Sequence, residues 1–401
     1  MIRRSWWQRP SLRTDEDEGR ERKASWLELF FDLVFVAVIA QLSHMLSTDI
    51  SWQGLMRFVV LFIPVWWYWI GATYYTDRFQ TDDVSLRVFT FFQMLAVAGM
   101  TMFVHDALGE SFRGFALSYI AARLILIIMW LRAGRHNAEV RPVANRYAVG
   151  FSVSVVLWTS SVFVSTPMRF LLPAAGLVID MVTPVSTLPI HAKLPRFSSS
   201  HLPERFGLFT IIVLGESVIG VAAGAAKVHH ITATIALEIV LGLALAFALW
   251  WVYFDFVTNR RAKKGIWWQA AWGYSHLPML LGLTGNGAGV VAILTAEEYY
   301  LVDPQRWLLC GAVAVVLLAI GMIELTLAPE EEEKLQAPVR RVFQRILRFG
   351  MSALALVVGL LGRRLSPPLI LAVLLLLVSS QIVQGIIFRS VSSLPRLQNS
   401  S

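Results

Sequence analysis

The chain has 401 residues, 56% of them hydrophobic, and a mean hydropathy of +0.60. Soluble domains hold roughly 45–50% apolar residues, so this composition excludes an ordinary soluble globule and points to an integral membrane protein surrounded by the lipid bilayer. The net charge of +8 is spread over connections between apolar segments rather than gathered in a patch, which argues against nucleic acid, and a single cysteine, Cys310, excludes an intramolecular disulfide or a cysteine metal cluster.

Residues 1–24 mix both signs of charge without an apolar core, so they read as a disordered cytosolic tail rather than a signal peptide. Trp6 and Trp7, beside Arg3, Arg4 and Arg9, suit a loose contact with the membrane surface. A helix needs about 20 residues to cross a hydrocarbon core about 30 Å thick. Segments of that kind are expected at 26–46, 52–75, 86–104, 113–131, 147–165, 168–188, 205–226, 231–256, 270–295, 306–327, 349–362 and 367–388. The predicted fold class is therefore all-α: a polytopic transmembrane helical bundle of about twelve spans. Segment 349–362 is the shortest, and it is expected to tilt, to re-enter, or to be lengthened by the basic amphipathic VRRVFQRIL before it.

Lysine and arginine alternate with the connections. The N-terminal tail, the even-numbered connections and the C-terminal tail hold 27 of the 35, whereas the odd-numbered connections hold six. That bias predicts both termini in the cytosol. The chain also resembles itself: WLELFFDLVFVAV with LPERFGLFTIIVL, WYWIGATYYTDR with WWVYFDFVTNRR, and FFQMLAVAGM with YSHLPMLLGL recur in the same order. Tandem six-helix repeats over 25–200 and 201–390 are the expected organisation, followed by a cytosolic tail at 391–401.

ELFFDLVFV at 28–36, TDRFQTDDVSLR at 76–87, HLPERFGLFTIIVLGES at 201–217, WWVYFD at 250–255 and YSHLPMLLG at 274–282 resemble the bacterial low temperature requirement protein A (LtrA) family. The resemblance implies a polytopic bacterial membrane protein in a family named for growth in the cold, without an established reaction. A more distant similarity is to potassium channels of two six-helix repeats with a Phe-Ser-Asp motif in the first helix; here Phe31 stands in place of the serine before Asp32.

Polar residues inside spans are the candidate site. Glu28 and Asp32, four apart, share one helix face, and an ionised carboxylate in hydrocarbon costs at least about 2.5–3.5 kcal/mol. Two readings follow: an inward-facing polar site, or headgroup-level carboxylates that favour the positive helix end and pair with Arg78 or Arg87. Glu216 lies too deep to reach the interface and shares a stripe with Gly220 and Gly224, which suits an ion or proton site, or a neutral acid bonded to a neighbouring helix. Arg123, in mid-span, needs a counter-charge from Asp32, Glu216 or Asp180. Arg57 can snorkel outward. The sixth span, with Pro173, Asp180, Pro184 and Pro189, and the ninth, with His276, Pro278, Asn286 and several glycines, have the composition of interrupted helices, which line cavities in transporters. His276 fits either that role or a structural hydrogen bond. Glu204, which aligns with Glu28, and Asp255 complete the candidate polar pathway. The clusters Trp66–Trp69 and Trp250–Tyr253 are expected in an interfacial belt. Asp82–Asp83 and Glu330–Glu333 read as loop charges.

No HExxH, GxSxG or P-loop pattern is present, so neither an enzyme nor a resident metal or cofactor is expected. The leading expectation is a secondary transporter or ion-coupled permease of the bacterial inner membrane, acting on an unidentified small solute or ion and able to assemble as a homo-oligomer. The alternatives are a cation channel of two six-helix repeats and a membrane sensor or assembly factor.

Overall fold

The structure is a computed structural model that describes residues 8–13, 22–79, 83–195, 197–226, 228, 230–258, 260–295, 300–329 and 338–392, without the side chains of 338–343 and 388–392. Trp6, Trp7, Asp82, Glu330–Glu333 and residues 393–401 lie outside that set. Among the described residues there are twelve α-helices and no strand beyond two isolated bridges.

Contacts divide the chain into two compact units, Met1–Val213 with Lys264–Ala270, and Leu214–Lys263 with Ala271–Ser401. The first contains α1 (Trp26–Thr48), α2 (Trp52–Arg78), α3 (Val84–Phe103), α4 (Phe112–His136), α5 (Arg141–Ser161), α6 (Met168–His191) and the beginning of α7 (His201–Ala226). Within it α3 packs on α1 and α4, α5 on α4 and α6, and α2 on α1 and α4. The second contains the rest of α7, α8 (Ala233–Tyr253), most of α9 (Ile266–Leu294), α10 (Asp303–Thr326), α11 (Pro338–Leu361) and α12 (Pro367–Ser392). There α11 packs on α10, and α12 on α8. A β-carbon added to Gly282 of α9 would lie 2.8 Å from the Ala312 carbonyl oxygen, so that position admits only glycine if α9 and α10 are to meet backbone to backbone.

Among the described residues, eleven helices are long and apolar enough to cross a membrane. The twelfth, α5, has 21 residues but opens on a polar turn, Arg141 to Arg146, which lowers its hydropathy. α11 runs for 24 residues because VRRVFQRIL is helical and continuous with the apolar part, so the short segment at 349–362 is the end of a membrane-length helix. Apolar side chains face outward: Phe30 and Leu33 of α1 are exposed while Asp32 between them is fully buried. This inverts the soluble arrangement, as a lipid solvent requires.

Two expectations change. α6 and α9 are unbroken despite Pro173, Pro184, Pro189 and Pro278. Along the same stretches Thr183 Oγ1 donates to Ile179 O, Thr187 Oγ1 to Pro184 O and Ser275 Oγ to Ala271 O, local bonds that such residues make inside helices. Trp66, Trp67, Tyr68 and Trp69 are buried inside the first unit rather than placed in an interfacial belt. Trp69 stacks on Phe209 at 4.0 Å and gives its N–H to Asp32, so burial leaves its polar atom satisfied.

Candidate functional site

Ser25 begins α1 with a capping box: its hydroxyl accepts from Glu28 N, and Glu28 Oε2 accepts from Ser25 N at 2.8 Å. That reciprocal cap fixes Glu28 in the first turn of α1 and leaves Oε1 for Arg22, His201 and Arg205. One turn on, Asp32 meets Arg205 of α7 through both oxygens, Nε donating at 2.9 Å and Nη2 at 2.6 Å, with Trp69 Nε1 adding a third bond at 2.8 Å. Arg205 Nη1 also lies 3.2 Å from Glu28 Oε1. The planar guanidinium thereby bridges both carboxylates of the α1 face.

His201 extends the network, with Nε2 3.1 Å from Glu28 Oε1 and Nδ1 2.9 Å from Asp77 Oδ1. Ser198 N donates to the other Asp77 oxygen at 2.9 Å. The imidazole donates to both carboxylates only when it carries two protons, and with one it can pass that proton between them. Arg22, before α1, closes the rim by donating to Thr76 O and Glu28 Oε1. Asp32, Asp77, His201 and Arg205 are essentially inaccessible, and Glu28 nearly so. Beside them Glu28, Thr76, Thr90, Gln93 and Arg205 border a void of about 10 Å³, the size of one water.

The expected partners of Glu28 and Asp32 are thus replaced. Arg78 donates to Pro195 O and His191 and lies over the Phe197 ring at 3.8 Å, while Arg87 is exposed at the start of α3. The reason is reach: α7 brings Arg205 against the inward face of α1, whereas Arg78 ends α2 toward the segment after α6. Arg123 takes Asp180, one of its three candidates, at 3.0 Å, and Tyr119 donates to the same carboxylate oxygen at 2.7 Å. Arg57 pairs with Asp49 at 3.6 Å in an exposed position, at the edge of a recess of about 460 Å³ that His105 and Asp106 also line.

The remaining candidates do not join this network. Glu204 accepts from Ala24 N at 3.0 Å and so ties down the segment before α1. In the second unit, Glu216 is buried with no hydrogen-bond or ion-pair partner among the described residues, and Gly220 and Gly224 lie against Val291 of α9. Asp255 accepts from Trp251 Nε1 at 3.0 Å in the π-helical turn Phe254–Thr258. His276 donates from Nδ1 to Trp272 O at 2.8 Å and meets Tyr253 Oη at 3.2 Å, the bonding of a structural histidine. Asp77, His201 and Arg205 were not among the expected site residues. All three lie inside the TDR and HLPERFGLF motifs, and an arginine one turn into an apolar helix is the signal that marks them.

At the start of α3, Asp83 caps the helix. It accepts from Leu86 N at 2.9 Å, Ser85 Oγ at 2.6 Å and Gln8 N at 2.7 Å. Burial pushes its carboxyl up, but these donors and the Arg132 charge outweigh burial and hold it below the usual carboxylate range. Gln8 to Arg13, within the stretch expected as a solvated tail, are bound here: Asn137 donates to Pro10 O at 2.8 Å, Arg13 N to Arg78 O at 3.1 Å, and Leu12 bridges to Phe79.

The family model for bacterial low temperature requirement A protein (LtrA) matches residues 23–383. A protein of Rhizobium meliloti (strain 1021), described as uncharacterized, is 29% identical over 310 residues, covering 71% of each chain.

Proposed function

The chain belongs to the bacterial low temperature requirement A family, and from its buried ionic network we propose that it is a secondary transporter coupling a small solute to an ion across the bacterial cytoplasmic membrane. The observation that carries this reading is the set Glu28, Asp32, Asp77, His201 and Arg205, removed from solvent in membrane-length helices and bordering a water-sized void. Charges in such segments are costly and are retained where ions or protons move. His201, held between two carboxylates, supplies the group that can exchange a proton at the inner mouth. The alternation of lysine and arginine supports both termini in the cytosol.

A channel with equivalent first and seventh helices around a pore has less support, because α1 and α7 are joined by the Asp32–Arg205 pair. A purely structural network, as in a sensor or assembly factor, is favoured by one fact: Arg205 and Trp69 fully occupy Asp32. The two readings separate in proteoliposomes holding a pH dye under an imposed proton gradient, with a mixture of small carboxylates, amino acids and sugars outside. The transporter gives solute-dependent proton movement that Asp32→Asn abolishes while the protein keeps its fold. Equal leak from wild type, variant and empty liposomes, for every solute, would refute transport of these classes.

A further inference from the structure

Arg123 is fully buried midway along α4, and its partners account for only part of the guanidinium. Nε serves Asp180 and Tyr119, each at 3.0 Å. Nη1 and Nη2 have no hydrogen-bond partner, and the rings of Tyr119 and Phe151 lie 5.3 and 4.9 Å from Cζ. A guanidinium left in this state forfeits strong, obligatory hydrogen bonds.

It is not alone. Tyr68 Oη and Gln93 Nε2 are also buried, and they have no hydrogen-bond partner beyond each other. Tyr68 lies within electrostatic reach of Arg123 and next to Gln93. α2 passes Arg123 at Gly71, where an added β-carbon would stand 3.6 Å from Nη1, and Tyr68 is one turn away on the same face. Tyr68 and Gln93 are each about ten residues, or roughly 15 Å of helix, from the short connection joining α2 to α3. The groups therefore share one depth near the middle of a 30 Å core.

All three contribute donors: the two terminal nitrogens of a planar fork, a phenol and an amide nitrogen. What satisfies them together is a compact group made of acceptors. We propose that Arg123, Tyr68 and Gln93 form a mid-membrane binding site for the carboxylate of a small organic solute. The fork matches a carboxylate in bidentate geometry, and Tyr68 and Gln93 add donors from the neighbouring helices. Asp180 holds the opposite edge of the guanidinium and fixes its orientation, with its second oxygen toward Ser154. Gln93 also borders the water-sized void against Glu28 and Arg205, which places this site next to the inner ionic network. The role of the site as the solute position rests on the transport reading; the binding itself does not.

The experiment is equilibrium binding of radiolabelled acetate to the purified protein in detergent. Wild type is expected to bind saturably at one site. Tyr68→Phe and Gln93→Leu each remove a donor without a charge and should weaken binding about tenfold. Arg123→Lys keeps a cation for Asp180 but removes the fork, and should abolish it. No saturable binding by wild type, or unchanged binding in variants that keep the wild-type melting temperature, would overturn the proposal. Acetate binding without flux in proteoliposomes would leave this site standing and sink the transport reading, whereas flux without acetate binding would do the reverse.

Discussion

Arg205 touches two carboxylates at once, Asp32 at 2.6 Å and Glu28 at 3.2 Å, with almost no access to solvent. Removing it leaves two buried carboxylates short of a donor, a loss of about 3–5 kcal/mol for a broken buried pair. Arg205→Met should therefore lower the melting temperature in detergent sharply, and Asp32→Leu added to it should recover part of the loss because the pair is then replaced by apolar volume. A double variant no more stable than the single one would show that Asp32 is not the main carboxylate Arg205 serves. The spacing of Glu28 and Asp32 makes their shared face legible in the sequence. Their partner is not, because 173 residues separate Asp32 from Arg205 and periodicity carries no information about which distant helix arrives. For the same reason Arg123 could be read as needing a counter-charge, while the choice of Asp180 over Asp32 and Glu216 required the packing of α4, α5 and α6.

Helices were the legible elements, since lipid imposes length and apolarity on each of them. Their interruptions were not. Proline content suggested breaks in α6 and α9, yet the backbone stays helical through Pro173, Pro184, Pro189 and Pro278, because the surrounding packing overrides a local preference that composition alone displays. The segment before α1 shows the converse: a charged stretch that reads as solvated is held by named bonds to α3 and α4 through Asp83 and Asn137. Asp83 gives that attachment a pH signature. Its carboxyl lies below the ordinary range in the folded protein, so its contribution is fully present above the unfolded value of about 3.9 and fades as pH falls through the lower folded value. Asp83→Ala should cost about 1 kcal/mol at neutral pH through the lost cap. The gap in melting temperature between wild type and variant should begin to narrow below about pH 4, where the unfolded carboxyl takes up a proton, and close once pH falls below the lower folded value. A gap that stays constant from pH 7 to pH 3 would mean that the carboxylate charge is not what α3 and Gln8 use.

At the scale of the whole molecule, the proposed cytosolic position of both termini rests on the alternation of cations and needs an even number of crossings, which the twelve helices among the described residues would supply. Some of those cations have other work. Arg205 and Arg348 count among the 27 on the inner side but are buried in ion pairs, with Asp32 and Glu324, and Arg306 counts among the outer six but is buried against Gly359 O. Discounting those three leaves 25 against five, so the bias behind the proposed orientation does not depend on them. Two consequences follow. On the proposed topology of twelve crossings with both termini in the cytosol, a green fluorescent protein fused after Ser401 should fluoresce, and alkaline phosphatase at the same place should be inactive. The same pair of fusions after Asp106, between α3 and α4, should give the opposite result. Alkaline phosphatase activity at the C-terminus would mean an odd number of crossings, and α5, the helix with the polar first turn, would be the one that fails to span.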